Sequence, residues 1–126
     1  MYYAILCYND EDVVWSMSKA EDDAMMARLD AVQERLVKSG KLGPALRLLP
    51  TTAATTLRKG GEAPLVIDGP FAETKEQLLG FFIVEVETLE DALAIARELA
   101  EAKTGSTYEV RPIALYVPDR RSGPAA

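Results

Sequence analysis

The side chains able to do chemistry here are few, and their types limit the reaction. The 126 residues contain no histidine and a single cysteine, Cys7. A histidine-based triad, an imidazole acid–base and a histidine metal site are therefore excluded, and a lone thiolate does not make a zinc site. Any chemistry falls to carboxylates, Lys, Arg, Tyr, Ser, Thr or Cys7. No metal and no cofactor is expected.

Four positions stand out: Asp68, Thr74, Lys75 and Arg111. Asp68-Gly69-Pro70-Phe71 has the composition of a tight turn, with Pro70 fixing φ and Gly69 free to take unusual dihedrals. In one reading Asp68 accepts backbone N–H groups and Phe71 anchors the turn in the core. In the other, Asp68 is a ligand contact or general base beside a pocket. Glu73, Thr74 and Lys75 read as a solvated loop, a dimer contact, or a pocket rim where Thr74 and Lys75 hold an anion. Glu109 and Arg111 are two apart in a strand and share a face, opposite Tyr108 and Val110. Arg111 is expected to pair with a carboxylate, Glu85 or Asp68, or to recognise a carboxylate or phosphate ligand. Cys7 lies in an apolar strand without an adjacent base or cation and reads as a buried, inert thiol. Trp15 covers a core edge, or caps a pocket or a partner surface, while Met17, Met25 and Met26 read as packing.

The elements that must position these groups follow from patterning. Tyr2 to Tyr8 is rich in aromatic and β-branched residues and predicts a strand. Asn9-Asp10-Glu11-Asp12 reads as a polar turn, and Val13, Val14 and Trp15 after it as loop. Ser18 with Glu21 forms a capping-box pattern, and Asp22 and Asp23 add charge that a helix N-terminus favours. Met25, Leu29, Val32 and Leu36 recur at helical spacing, and Gly40 stops the run. A helix over Lys19 to Ser39 follows. Leu42 to Leu49, Ala54 to Lys59 and Pro64 to Asp68 predict three further strands, the last two joined as a hairpin at Gly60-Gly61. Leu79 to Glu87 is the clearest strand, with Phe82, Val84 and Val86 on one face and Phe81, Ile83 and Glu85 on the other. Thr88 with Asp91 caps a helix over Leu89 to Ala102, whose stripe is Ala92, Leu93, Ala96, Leu99 and Ala100. Tyr108 to Pro112 is the last core strand, with Ile113 to Val117 as an extension. The segment 118–126 is expected to be a mobile tail to a single 1–117 domain.

The order β-α-β-β-β-β-α-β is an α+β, ferredoxin-like βαββαβ plan with an extra hairpin between its middle strands. Its two helices cover one sheet face. Phe81 and Ile83 fall on the other, and a second copy is the expected cover, giving a homodimer of the α/β-barrel type.

Composition narrows the class. Lys plus Arg is 14 and Asp plus Glu is 20, a net charge of −6. That balance argues against nucleic-acid binding and against docking on anionic membranes. No apolar run approaches the ~20 residues of a spanning helix, and the first residues lack the basic region of a signal peptide. A soluble cytoplasmic protein is expected.

Asp68-Gly69-Pro70-Phe71-Ala72-Glu73-Thr74-Lys75-Glu76 reads DGPFAETKE, and Gln77-Leu78-Leu79-Gly80-Phe81-Phe82 follows it. This string resembles the DGPFAETKE family of YCII-related proteins. Tyr2 to Tyr8 looks like the first strand of that family, and Val110-Arg111-Pro112-Ile113 like its last. The resemblance spans about Met1 to Ile113. It implies a dimeric α/β-barrel domain in a bacterial cytoplasm, from genes that often neighbour extracytoplasmic-function sigma factors. The His–Asp pair proposed as catalytic in YCII proteins proper does not carry over, because this chain has no histidine.

Two functions of different class remain open. One is a non-enzymatic, dimeric ligand-binding or accessory protein, its partner a small molecule or a regulatory protein. The other is a small-molecule enzyme with Asp68 as acid/base and Lys75 or Arg111 as electrostatic partner.

Overall fold

The computed structural model describes residues 1–103 and 105–118. The first strand, β1, spans Tyr2–Asn9, and its alternation sends Tyr3, Ile5 and Cys7 into the core. A short helix, α1 (Glu11–Trp15), follows directly. Val13 to Trp15 are thus helical rather than loop. The acidic run Asp10 to Asp12 holds the cause: Asp10 is an N-cap whose side chain accepts the Asp12 N–H at 3.0 Å.

The long helix α2 spans Lys19–Lys38. Its capping box is complete, with the Ser18 hydroxyl accepting the Glu21 N–H and the Glu21 carboxylate accepting the Ser18 N–H. Met25, Leu29 and Leu36 are buried, and Val32 packs beside them, so the expected apolar face holds. Gly40 ends the helix at φ +73°, a conformation that disfavours a residue with a Cβ.

Strand β2 (Leu42–Arg47) stops short of the expected Leu49. Leu48 still donates to the Leu79 carbonyl at 2.7 Å, but Leu49 turns outward before Pro50. A single 3-10 turn over Thr51–Ala53 leads into the hairpin β3 (Thr55–Arg58) and β4 (Leu65–Asp68). This hairpin pairs as expected, but as a two-stranded sheet of its own.

Strand β5 (Gln77–Glu85), helix α3 (Leu89–Glu101) and strand β6 (Thr107–Pro112) complete the chain. In α3, Ala92, Ile95, Ala96 and Leu99 are buried, so Ile95 takes a core place expected for Leu93 or Ala100. Thr88 caps this helix through the Asp91 N–H. The expected extension over Ile113 to Val117 is not a strand. β1 begins at Tyr2, so after Ile113 donates to the Tyr2 carbonyl at 2.9 Å no β1 backbone remains to pair with. Thr104 and the segment 119–126 of the expected tail lie outside the described residues.

The main sheet has four antiparallel strands in the order β2-β5-β1-β6. That is the order of a ferredoxin-like plan, the hairpin being an insertion between its second and third strands. Helices α2 and α3 contribute to one core with the inner sheet face, where Ile5, Val84 and Leu99 are fully buried. Each such side chain is worth about 1.5–3 kcal/mol in burial. The register places Ala4, Leu6, Phe81, Ile83 and Leu46 on the outer face. Leu46 there is exposed and the other four are only half-buried.

Candidate functional site

Between the inner sheet face and helices α1 and α2 lies a cavity of about 540 Å³. That is within the usual size range for small-molecule sites. Its floor comes from Cys7 on β1 and from Gly80 and Phe82 on β5, and α2 supplies Met25, Met26 and Leu29. Val13 and Val14 of α1 close one end, and Lys103, just past α3, closes another. The expected turn-loop at Val13 and Val14 is therefore a wall of the cavity.

Local bonding explains why α1 stands there. Its first N–H, from Glu11, donates to the side-chain oxygen of Gln77 at 3.0 Å. The Glu11 carboxylate accepts the Thr51 N–H at 2.9 Å and also takes the Thr51 hydroxyl. Arg47 on β2 reaches over the same end. Its guanidinium carbon is 4.9 Å from the centre of the Trp15 ring, and it pairs with Asp22 at 3.2 Å.

The charged side chains of the lining are Arg28, Arg47 and Lys103 on one side of the balance and Glu21 and Asp30 on the other. Lys103 is half-buried, with its nitrogen 6.0 Å from the centre of the Phe82 ring. Burial lowers its ammonium pKa, the nearby Arg47 charge adds to that, and Cys7 opposes it. Burial likewise pushes the Cys7 thiol up, against the pull of Lys103. Cys7 is buried as expected, but Lys103 is a cationic neighbour that its strand context did not reveal. Glu21 stands on the cavity wall with its carboxyl held below its ordinary value by hydrogen bonds from Ser18, first from the side chain and then from the backbone.

The four side chains singled out in the sequence lie elsewhere, and none lines this cavity. Asp68 is exposed on β4, opposite Thr55 in the hairpin register. Phe71 is 78% exposed, so it does not anchor that turn in the core. The turn is held instead by the backbone, with Gly69 donating to the Ala54 carbonyl at 2.7 Å and the Thr56 hydroxyl donating to the Gly69 carbonyl at 2.8 Å. Thr74 donates its hydroxyl to the Glu76 carbonyl, and Lys75 is exposed. Arg111 pairs with Glu109, not with Glu85 or Asp68. The two share the outer face of β6 two residues apart, so the nearest carboxylate is the strand's own. Among the described residues no cluster of His, Cys, Asp and Glu is arranged to hold a metal ion.

The profile of the YCII-related domain matches residues 1–115. The chain belongs to the YCII-related family. An uncharacterized protein of Rhizobium meliloti (strain 1021) is 58% identical over 120 residues, which cover 94% of this chain and 96% of that one. The YCII-related match takes in every strand and helix described above and all the cavity walls named.

Within this YCII-related domain the string from Asp68 to Phe82 serves the cavity through its C-terminal half. Gln77 holds α1, while Gly80 and Phe82 form the floor. Lys103 and Arg47 are among the lining residues that sequence patterning missed, as are Arg28 and Asp30. Arg47 carried a signal, a lone cation inside the apolar run Leu42 to Leu49. Gly80 carried another, since a glycine within a strand marks a close approach. A Cβ there would sit 2.2 Å from the Leu46 carbonyl oxygen. Lys103 carried none, because its side chain meets β1 and β5 only after the chain has folded.

Proposed function

We propose that the protein is a homodimeric, non-enzymatic ligand-binding or accessory protein whose ligand occupies the cavity beneath α1 and α2. The cavity carries this proposal: it combines a largely apolar lining with a half-buried lysine and a stacked arginine. Binding is favoured over acid–base catalysis by the nature of the groups present. The chain has no histidine, and of the two carboxylates in the lining Glu21 is committed to the α2 cap and Asp30 is exposed on α2. A base held below its ordinary pKa is poorly matched to proton abstraction near neutral pH.

The dimer is supported by the outer sheet face. Leu6, Phe81 and Ile83 lie there with no helix over them among the described residues, while both long helices pack on the opposite face. A second copy placed sheet to sheet would close an α/β barrel and enclose the Glu109–Arg111 pair at its rim. The sigma-factor-linked setting implied by the DGPFAETKE string would make the protein an accessory to regulation, with no direct contact to nucleic acid. Among the described residues no helix is long and apolar enough to cross a membrane.

Native mass spectrometry on protein purified without added ligand tests both parts. The expected result is a dimer carrying a small-molecule mass that is lost in Met25→Trp, where the larger side chain fills the cavity. A monomer at micromolar concentration overturns the dimer. The same adduct on Met25→Trp overturns the cavity as its site. A clean dimer overturns a retained ligand and leaves the protein-partner form of the accessory role.

A further inference from the structure

We infer that the cavity selects a small organic carboxylate with an apolar body, its headgroup received by Lys103 and Arg47 and its body by Met25, Leu29 and Phe82. This rests on the cavity being the binding site proposed above. Three features of the geometry carry it.

The first is a half-buried lysine with no ion pair of its own, in a lining where Arg28, Arg47 and Lys103 stand against the carboxylates of Glu21 and Asp30. Lys103 is half-buried, yet among the described residues it makes no ion pair. The groups whose charge acts on it are Cys7 and Arg47, and neither is an anion at neutral pH; the carboxylates of the lining, Glu21 and Asp30 on α2, make no ion pair with it. The last carbonyls of α3 supply partial negative charge, but not a full one. A desolvated cation in that position is stabilised by an anion brought in from solution.

The second feature is a fork beside the point charge. Arg47 has one nitrogen engaged, NH1, which reaches Asp22 at 3.2 Å and the Met26 sulfur at 3.7 Å. Its remaining donors suit the planar oxygens of a carboxylate. Stacking on Trp15 restricts the side chain and so lowers the cost of holding it for a ligand. Arg28 adds a third positive charge to the lining, tethered by its Nε to the Ala102 carbonyl at 3.2 Å.

The third feature is the apolar remainder. Met25 and Leu29 are buried and present thioether and branched aliphatic surface, and Phe82 presents a ring. Methionine adapts to ligands of irregular outline, so this lining suits a flexible chain or an aryl group. A fully polar anion such as inorganic phosphate would leave that surface wet and forfeit its contribution.

Isothermal titration calorimetry of the full chain with octanoate, octanol and octylammonium tests the assignment, since the three differ mainly in headgroup charge. Octanoate is expected to bind at least tenfold tighter than octanol, with octylammonium weakest. Lys103→Met should abolish the advantage of octanoate over octanol, and Lys103→Arg should keep most of it. Circular dichroism of both variants confirms that the fold survives. Equal binding of octanoate and octanol by the native chain overturns the carboxylate assignment and leaves the cavity as a binding site. An undiminished advantage in Lys103→Met overturns the role of that lysine. No heat with any of the three compounds at millimolar concentration overturns the cavity as a binding site as well.

Discussion

The guanidinium of Arg47 stacks over the indole of Trp15, with 4.9 Å between the guanidinium carbon and the ring centre. The contact ties strand β2 to helix α1 across one end of the cavity, although neither residue is in the core. Trp15 is the only tryptophan, so its emission reports this contact alone. In Arg47→Ala the indole gains water on one face. The emission maximum should move to the red, and the urea midpoint should fall by an amount worth about 0.5–1 kcal/mol. An unchanged spectrum would show that the stack does not hold in solution.

At Gly80 strand β5 lies close against the backbone of β2. A Cβ at this position would meet the Leu46 carbonyl oxygen at 2.2 Å, and that oxygen belongs to backbone rather than to a side chain that can turn away. Gly80→Ala should cost about 1–3 kcal/mol, the usual range for overpacking. Because Gly80 also lines the cavity, hydrogen exchange should speed up first in β2 and spare β1 and β6.

The Tyr108 hydroxyl is buried and has no hydrogen-bond partner among the described residues. Burial raises its pKa to about 12, and the proximity of Cys7 adds to this. A raised pKa in the folded state means that folding favours the neutral phenol. The associated stability is fully present below pH 10, the ordinary tyrosine value, and is lost as pH rises from there through about 12. Tyr108→Phe should remove that part of the alkaline loss in urea midpoints measured across this window. At pH 7 the same change should cost less than about 1 kcal/mol, since no hydrogen bond is broken.

Ile83 sits on the outer sheet face beside Ala4, with both long helices on the other side. Ile83→Asp would place a charge at the centre of the proposed dimer contact, where burying it unpaired is costly. Sedimentation velocity should show a monomer for this variant and a dimer for the native chain. Its circular dichroism should match the native spectrum, because Ile83 takes no part in the buried core. A dimer that persists in Ile83→Asp places the contact elsewhere.

Much of the scaffold was legible because its signals are local. The capping box at Ser18 and Glu21, the stop at Gly40 and the spacing of Met25, Leu29 and Leu36 locate α2 without reference to any other element. The alternation of Phe82 and Val84 against Phe81 and Ile83 orients β5 in the same way. Where a local signal had two meanings, the fold chose between them. The acidic residues after β1 read as a turn, yet Asp10 caps a helix because Gln77 and Thr51 are there to hold Glu11. Phe71 reads as a core anchor, yet the hairpin carries it away from the main sheet.

The sequence by itself determined the family and most of the elements and their buried faces, α1 and the end of β6 excepted, since hydrophobic period, caps and the string from Asp68 to Phe82 are properties of neighbouring residues. The cavity is different. Cys7, Arg47, Phe82 and Lys103 are far apart in the chain, and each has an ordinary local context: an apolar strand, a strand end, a core ring, a helix terminus. They meet because an antiparallel sheet in the order β2-β5-β1-β6 sets β2 beside β5 and lays both long helices on one face. The environment of Lys103, and with it the charge the cavity offers a ligand, is set by that packing, because desolvation depends on what surrounds a group in space and not along the chain.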